Sequence, residues 1–404
     1  MKKLLVLLVV FVFTVSALAV VNVRISGWPG NPIEEGVIKS IVEKFNETHP
    51  DIHVEWEPIP GDFRQMIITQ FSAGTAPDIF YVDTFWFEEM ARQNMLLPLD
   101  LYIKKDNFDI EDFYPSLVEA FTYRGRIYGI PKDFSTLALY YNKEIFDEYG
   151  VEYPTSEDTW FDFLDKALQL KRKGFETPLV LAPDFNRLIP FVVAANGRVV
   201  KEDLNTGLTE PNSRFAIQFY LDLVNKYGVA QEPANLGAGW IGEAFGKEAV
   251  AMAMTGPWTL GYIRGQYPDV VEKTGIVEMP HLINRATMVY TVSWSINRNT
   301  RNRDAAWEVV KFLTKEGQKM FVEGAGVLAS RKSIAAIDTD PMKKAFYDGA
   351  AYAIPWRIPT PSGIFNKAND QINSRLKDLF YGKTSFEQVL KEIEDNYMSW
   401  VSEE

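Results

Sequence analysis

The chain has 404 residues, 47% of them hydrophobic, so it can bury a large core and form two or more domains. Its net charge of −12, with no run of lysine and arginine, excludes the basic surface that nucleic acid or an anionic membrane requires. There are no cysteines, which excludes disulfides.

Residues 1–19 predict a secretory signal peptide. Two lysines precede an apolar run over 4–15, and Ala17-Leu18-Ala19 is a small-x-small cleavage site. The run is too short to span a bilayer, and no other apolar run reaches the ~18 residues that a spanning helix needs. A lipid-anchored bacterial form would need a cysteine at the cleavage site. The sequence therefore predicts a free protein in a periplasmic compartment.

Strands and helices alternate from residue 21 onward. Strands are predicted over 21–25, 52–56 and 79–82, with helices from Ile33 to Phe45 and from Phe63 to Phe71 between them. This β-α-β-α-β run is typical of a mostly parallel sheet that helices cover on both faces. The predicted fold class is therefore α/β.

The third predicted strand leads into a candidate binding site. Asp83 follows the apolar run over 79–82, and Phe85 and Trp86 come next. Ligands of open α/β sheets bind beyond the carboxyl ends of the strands. The alternative is that Asp83 caps the next helix and the two aromatic residues belong to the core, and the residues alone leave both interpretations open.

The remaining chain predicts a second α/β lobe. A hairpin with Gly125 in its turn leads to a crossing between the lobes near Pro131. Further strands are predicted over 136–141, 179–181, 249–254, 276–278 and 288–296, and further helices over 156–173, 187–195, 212–227, 303–314, 341–352, 364–381 and 385–400.

Catalytic and metal-binding signatures are scarce. Pro50 prevents one helix from presenting both His49 and His53, so a metal pair there is disfavoured. The segment 237–242 matches the dinucleotide pattern but follows no strand, so we interpret it as a loop that enters a helix. We expect no catalytic residue, no cofactor and no metal. Because glycoside hydrolysis needs only two carboxylates, the 54 acidic residues keep that activity open as an alternative.

Tryptophans near loop ends favour a sugar ligand. A flat ring covers the apolar face of a sugar, while carboxylates and amides accept hydrogen bonds from its hydroxyls. Core packing is the alternative for any single ring. The tryptophans at turns or strand ends beside glycine or proline are Trp28, Trp86, Trp258, Trp294 and Trp356.

Six short segments carry a resemblance to a known family. They are Gly-Thr-Ala-Pro-Asp-Ile at 74–79, Tyr-Gly-Ile-Pro at 128–131, Leu-Tyr-Tyr-Asn-Lys at 139–143, Gly-Lys-Glu-Ala-Val-Ala-Met at 246–252, Gly-Pro-Trp at 256–258 and Thr-Lys-Glu-Gly-Gln at 314–318. In order and spacing they resemble the sugar-binding proteins of ABC importers, which include maltose- and trehalose-binding proteins. The resemblance runs from about residue 22 to the end.

This resemblance implies a two-lobed periplasmic-binding-protein fold, type II-like, with the ligand in the interlobe cleft. The hinge is crossed more than once. The first lobe would hold 22–131 and 284–327, and the second would hold 132–283 and 328–404.

The resemblance also implies which residues contact the ligand. In relatives, acids that follow two strands bond sugar hydroxyls, and the tryptophan of Gly-Pro-Trp stacks on a ring. An acid that opens the first helix and an aromatic residue on the returning strand recur as well. The resemblance implies Asp83, Asp133, Trp258, Trp294, Glu35 (or Glu34), Arg357 and, with a looser alignment, Arg64 as substrate-binding residues, and the placement of the tryptophans adds Trp86, Trp28 and Trp356.

The implied function is transport rather than catalysis. A disaccharide or short oligosaccharide would be captured as the lobes close and then delivered to the membrane permease subunits of an ABC importer. We expect a monomer. A secreted glycoside hydrolase and a receptor for a non-sugar solute stay as alternatives, which substrate turnover and binding across ligand classes would separate.

Overall fold

The computed structural model describes residues 20–355, 358, 360 and 365–402. The predicted signal peptide over 1–19 lies outside the described residues, and so do Trp356 and Arg357. Within the described ranges, no helix is both long enough and apolar enough to cross a membrane.

Two sheets form the centres of two lobes. The strands of the larger sheets and of one small hairpin are β1 (Val21–Gly27), β2 (Ile52–Pro58), β3 (Ile79–Asp83), β4 (Thr122–Tyr123), β5 (Arg126–Ile127), β6 (Gly129–Ser135), β7 (Ala138–Asn142), β8 (Leu179–Val180), β9 (Ala230–Gln231), β10 (Met252–Thr255), β11 (Thr274–Glu278), β12 (Thr287–Ile296) and β13 (Ala353–Pro355).

Helices cover the sheets. The α-helices of the described chain are α1 (Pro32–Thr48), α2 (Phe63–Ala73), α3 (Thr84–Arg92), α4 (Asp100–Lys105), α5 (Pro115–Ala120), α6 (Lys143–Glu148), α7 (Trp160–Arg172), α8 (Phe185–Ala194), α9 (Pro211–Asn225), α10 (Ile241–Gly246), α11 (Trp258–Gln266), α12 (Pro268–Lys273), α13 (Arg303–Leu313), α14 (Glu316–Ala325), α15 (Lys332–Ala335), α16 (Lys344–Gly349), α17 (Asn366–Phe380) and α18 (Phe386–Val401).

The first sheet has the order β13-β12-β3-β1-β2, and β6 pairs with β12 beside this path. Strand β1 runs parallel to β2 and β3, as predicted from the β-α-β-α-β run. Strand β12 runs parallel to β13 but antiparallel to β3 and β6, so three of the five described pairings are parallel and the two antiparallel ones both involve β12. The reason is that β12 belongs to a return of the chain from the second sheet.

The second sheet has the order β11-β7-β10-β8-β9. Its strands come from residues 138–278, and β7 lies antiparallel to both β10 and β11. The predicted Gly125 turn is present, because Arg124 and Gly125 connect β4 to β5 with φ values of 49° and 71°. The prediction of two α/β lobes is confirmed, while the exact lobe boundaries stay a prediction.

Each lobe has its own cluster of buried apolar residues. Residues of α1 at helical spacing (Ile38, Ile41 and Phe45) pack with Val23 and Ile25 of β1. The cluster of the second lobe includes residues of α7, α8 and α9 and extends to α17 and α18. Burial of apolar surface on one face of each helix therefore builds both layers.

Among the described residues, three chain segments that connect the lobes are hydrogen-bonded to one another. The main chain of Phe134 in β6 pairs with Leu328 at 3.2 Å in both directions. The Gln318 amide nitrogen donates to the carbonyl of Lys132 at 2.7 Å. Strand β12 pairs with β6 as well. The crossing segments β6, β12 and 327–331 thus form one connected hinge region.

Candidate ligand-binding site

A cavity of about 520 Å³ lies between the two lobes, at the carboxyl end of β3. This volume lies within the range of sites for small ligands. The lining combines aromatic rings with polar groups from both sheets. The lining residues used below are Trp28, Gly30, Asn31, Glu34, Tyr81, Asp83, Lys132, Asp133, Ser135, Trp240, Trp258, Tyr262, Gln266, Tyr290, Thr291 and Val292.

The first turn of α1 presents Glu34 to the cavity. Asn31 caps this helix by accepting from the backbone nitrogens of Ile33 and Glu34, and its amide donates to Glu34 Oε1 at 2.9 Å. Gly30 has φ of 61°, and a Cβ at this position would lie 2.4 Å from Glu34 Oε2. The Glu34 carboxyl therefore occupies the space beside Gly30 that a side chain at position 30 would need, and the positive φ also favours glycine there.

Strand β3 carries Tyr81 and Asp83, two residues apart, so both side chains point to the same face. Asp83 caps α3, because its Oδ1 accepts from the backbone nitrogen of Phe85 at 2.9 Å. The same carboxyl lines the cavity. The two interpretations of Asp83 are thus compatible, since one oxygen serves the helix while the carboxyl faces the cavity.

Strand β6 contributes two neighbouring residues through a bulge. Val292 of β12 pairs with Asp133, whereas Ser293 pairs with Pro131, which leaves Lys132 as the extra residue. A regular strand would turn neighbours to opposite faces, but a bulge re-aims one side chain. Lys132 and Asp133 therefore both line the cavity and form an ion pair with each other.

The second lobe supplies rings that rest on glycines. A Cβ at Gly256 would lie 2.2 Å from the Trp258 ring, and one at Gly242 would lie 2.2 Å from the Trp240 ring. Trp258 stands at 89° to Tyr290, with 5.8 Å between ring centroids. The missing side chains at the two glycines leave the space that the Trp258 and Trp240 rings occupy.

The chemistry of the lining suits a ligand that is apolar on its faces and polar at its edge. Six aromatic residues line the cavity, together with three carboxylic acids and one lysine. The rings offer flat apolar surface, and the carboxylates offer acceptors for hydroxyl donors. Lys132 is already paired with Asp133, so the described lining favours hydroxyl-rich ligands over anions.

Burial raises the pKa of two of these carboxyls. The pKa of Asp83 is raised to about 7, mainly because burial disfavours the charged form, against the opposing hydrogen bond from the Phe85 backbone. The pKa of Glu34 is also raised to about 7, again mainly by burial, while the nearby Lys132 charge lowers it. Two carboxyls of the cavity therefore change charge near neutral pH.

Replacing Asp83 with asparagine should make the ligand-free protein more stable than wild type at pH 8, with the gain lost at pH 4. The folded pKa of about 7 exceeds the usual 3.8, so the folded state holds the extra proton between these values. The wild type loses stability as the pH rises through this window. Asparagine stays neutral and still caps α3. Melting temperatures of both proteins across pH 4–8 measure the difference.

Asp62→Asn is the matched control for this experiment. Asp62 also caps a helix, accepting from the Gln65 backbone at 3.0 Å, but it is exposed to solvent. It should therefore show no comparable gain at high pH. The same pH profile in both variants would mean that cap chemistry, rather than burial in the cavity, governs Asp83.

A second cavity of about 530 Å³ also borders β12. Thr291 lines both cavities, but the second is lined mainly by apolar residues, including Phe85, Leu117 and Phe365. None of the described residues predicted to bind the ligand lines it. The first cavity is therefore the candidate site.

Four of the predicted residues come together at this cavity. Trp28, Asp83, Asp133 and Trp258 all line it, although they lie far apart in the chain. The remaining predictions fall on residues that are placed elsewhere or lie outside the described residues.

Four other predicted residues do not line the cavity. Trp294 is 1% exposed and packs on Tyr81 with 4.6 Å between centroids, and Trp86 is buried beside Phe63. Arg64 forms an ion pair of 2.6 Å with Glu89. Glu35 pairs with Lys39 at 2.6 Å on the outer side of α1. Glu34, the alternative to Glu35, takes the cavity position.

Several lining residues were missed by sequence reasoning. Tyr81 could have been predicted to line the site, because it lies two residues before Asp83 on the same strand and therefore on the same face. Lys132 could not have been predicted from the sequence pattern, because only the bulge turns it toward the cavity. Trp240 lies in the glycine-containing loop that enters α10, as that segment was interpreted. Tyr262 follows Trp258 by one helical turn, on a helix that was not predicted.

Metal binding receives no support from the described part of the chain. There, no three histidine, cysteine or acidic side chains are grouped so that they could hold a metal ion. The cavity acids are interspersed with rings and one paired lysine instead.

The family model of bacterial extracellular solute-binding proteins matches residues 30–320. The chain belongs to this family. The match spans both lobes and includes the lining of the cavity from Gly30 to Val292, while Trp28 lies just before it.

Two relatives of this solute-binding protein match more than nine-tenths of its length. The maltotriose-binding protein of Pyrococcus abyssi is 23% identical, with 91% of this chain and 80% of that protein covered. The lactose-binding protein of Rhizobium radiobacter is 24% identical, with coverage of 93% and 92%. The solved structure of an ABC substrate-binding protein from Listeria monocytogenes, in complex with cycloalternan, matches with TM-score 0.84 and 25% identity over 93% of this chain and 98% of that chain.

Proposed function

We propose that this solute-binding protein captures a disaccharide or short oligosaccharide between its lobes. The observation that carries the proposal is the cavity itself, in which six aromatic rings and three carboxylic acids face one space. Sugars present apolar C–H faces and hydroxyl edges, which match these two kinds of group. The names of the maltotriose- and lactose-binding relatives support the same ligand class.

In this proposal each wall has its own task. Trp258 and Trp28 stack on sugar rings from opposite lobes, while Asp83, Asp133 and Glu34 accept from hydroxyls. Closing the lobes removes water, and each charged hydrogen bond is then stronger than in open solution. The sugar stabilises the closed form because only that form brings both walls to it.

Delivery is the second half of the proposal. The closed protein presents its lobes to the permease subunits of an ABC importer and releases the sugar unchanged. We place the protein in the periplasm as a free monomer without a cofactor, a nucleic-acid partner or a catalytic residue. The acidic net charge and the signal-peptide pattern support this placement.

A melting screen tests the ligand class. Maltose, maltotriose, lactose and monosaccharides are added separately to the purified protein, beside a peptide and a polyamine. A sugar at 100 times its dissociation constant should stabilise the fold by about 2.7 kcal/mol and raise the melting temperature. Stabilisation by the peptide or the polyamine alone would contradict the proposal.

Recovery of the ligand tests binding against hydrolysis. After incubation with the stabilising sugar, chromatography should return the same sugar in full. Appearance of smaller sugars would favour a glycoside hydrolase that uses two of the cavity acids. The two experiments together separate transport, catalysis and a non-sugar solute.

A further inference from the structure

Helix α11 has two neighbouring faces with different surroundings. Trp258, Tyr262 and Gln266 follow one another at intervals of four residues and line the cavity. Gly261 and Gly265 follow at the same interval on the adjoining face. One helix therefore carries both ligand-facing side chains and a pair of bare backbone positions.

This helix belongs to the second lobe. Leu260 and Ile263 pack with Val180 of β8 and Ala253 of β10. The helix also touches α1 and α14, whose residues Ile41 and Phe321 belong to the apolar cluster of the first lobe. The contact of α11 with α1 and α14 is thus a contact between lobes.

The two glycines lie on the contact between the lobes. A Cβ at Gly261 would lie 2.2 Å from the backbone oxygen of Ala325, at the end of α14. A Cβ at Gly265 would lie 2.3 Å from Ile33 Cδ1 in α1. The first clash is with main chain, which no side-chain rotation relieves. Gly326, next to Ala325, has φ of 76° and also abuts the Gly261 backbone.

We propose that Gly261 and Gly265 are positioning residues that let the second lobe close on α1 and α14. The inference rests on the proposed binding by lobe closure and adds the contact that permits it. Because the glycines adjoin the ligand-facing side of α11, a ligand that draws Trp258 and Tyr262 inward also brings the glycines against the first lobe. The proposal requires that opening the lobes moves these positions away from Ala325 and Ile33.

Two glycines in one short helix are unfavourable for helix formation, so their presence calls for a structural explanation. Each glycine in a helix interior costs about 1 kcal/mol relative to alanine. Helix α11 has nine residues and carries two of them. Close approach between the lobes accounts for Gly261, where a Cβ would meet the Ala325 main chain, and at Gly265 a Cβ would force the Ile33 side chain to move.

Gly261→Ala tests the inference. Alanine fits the open form and improves the helix, so the ligand-free melting temperature should equal or exceed that of wild type. The closed form clashes with Ala325, so the dissociation constant for maltose, maltotriose or lactose, whichever stabilises wild type, should rise at least about tenfold. Calorimetric melting and titration measure the two quantities.

Gly36→Ala is the matched control. Gly36 lies in α1, and a Cβ there meets no atom within 4 Å, so the ligand-free melting temperature should not fall and the dissociation constant should not rise. A lower ligand-free melting temperature in Gly261→Ala alone would overturn the inference, because the contact would then be permanent packing. Wild-type affinity in Gly261→Ala would overturn it as well.

The distance between the two lobes, measured between spin labels, tests the inference without any ligand. The chain has no cysteine, so Glu47→Cys and Glu272→Cys, exposed positions in α1 and α12, can carry spin labels in an otherwise label-free protein. Gly261→Ala should shift the distance distribution away from its shortest component. An unchanged distribution would contradict the inference. If wild type binds none of the sugars while the distances shift as expected, the proposed ligand class fails and the closure contact stands.

Discussion

Replacing Trp258 with alanine should weaken sugar binding by about 2 kcal/mol, which is a roughly 30-fold rise in the dissociation constant. The ring lines the cavity, stands nearly perpendicular to Tyr290 and lies over the Gly256 backbone. Alanine removes the flat surface that covers one face of the sugar. Isothermal titration with the sugar selected by the melting screen measures the loss.

Trp258→Phe is the control for ring stacking. Phenylalanine keeps an aromatic face over Gly256 and should retain most of the affinity. Both variants should melt close to wild type without ligand, because Trp258 is only partly buried. Wild-type affinity in Trp258→Ala would place the sugar outside this cavity.

Replacing Arg331 with alanine should lower the free energy of unfolding by about 3 kcal/mol, because it removes a buried cation and leaves Asp112, whose side chain is 14% exposed, with the hydrogen bonds that Ser333 donates but without its ion pair. Arg331 is 5% exposed and donates to Asp112 Oδ2 at 3.0 Å and to the carbonyl of Thr314 at 2.6 Å. Its guanidinium also lies 4.3 Å from the centroid of the Phe113 ring. Calorimetric melting of the ligand-free protein measures the loss.

Arg24→Ala is the matched control for Arg331→Ala. Arg24 bonds both oxygens of Glu57, at 2.7 and 2.6 Å, but its side chain is 39% exposed. An exposed pair contributes at most about 1 kcal/mol. Equal losses in the two variants would mean that burial does not set the strength of the Arg331 contacts.

Strands and the general position of the site were predictable because they depend on local patterns. The apolar run over 79–82 and the residue after it define the end of β3, and in open sheets a strand end is where ligands bind. Asp83 was therefore identified from its position. Helix capping by Asp83 was the alternative interpretation, and one carboxylate has enough acceptor sites to cap α3 and to face the cavity as well.

Other features of the site depend on contacts that sequence patterns do not contain. Glu34 and Glu35 differ only in which side of α1 they occupy, and the capping by Asn31 decides it. The bulge that turns Lys132 inward arises from its pairing with β12, which lies far along the chain. Helix α11 was missed because Gly261 and Gly265 argue against a helix, and their value is apparent only beside the first lobe.

The position of β12 in the first sheet has a consequence for how the chain folds during synthesis. Strand β3 pairs on one side with β1 and on the other with β12, whose residues are made only after the whole second sheet. Until residue 296 has emerged, the apolar β3 has an open edge. Such an edge invites strands of other molecules to add to it. A nascent or truncated chain that ends before β12 is therefore exposed to aggregation, and the return of the chain to the first lobe removes that exposure.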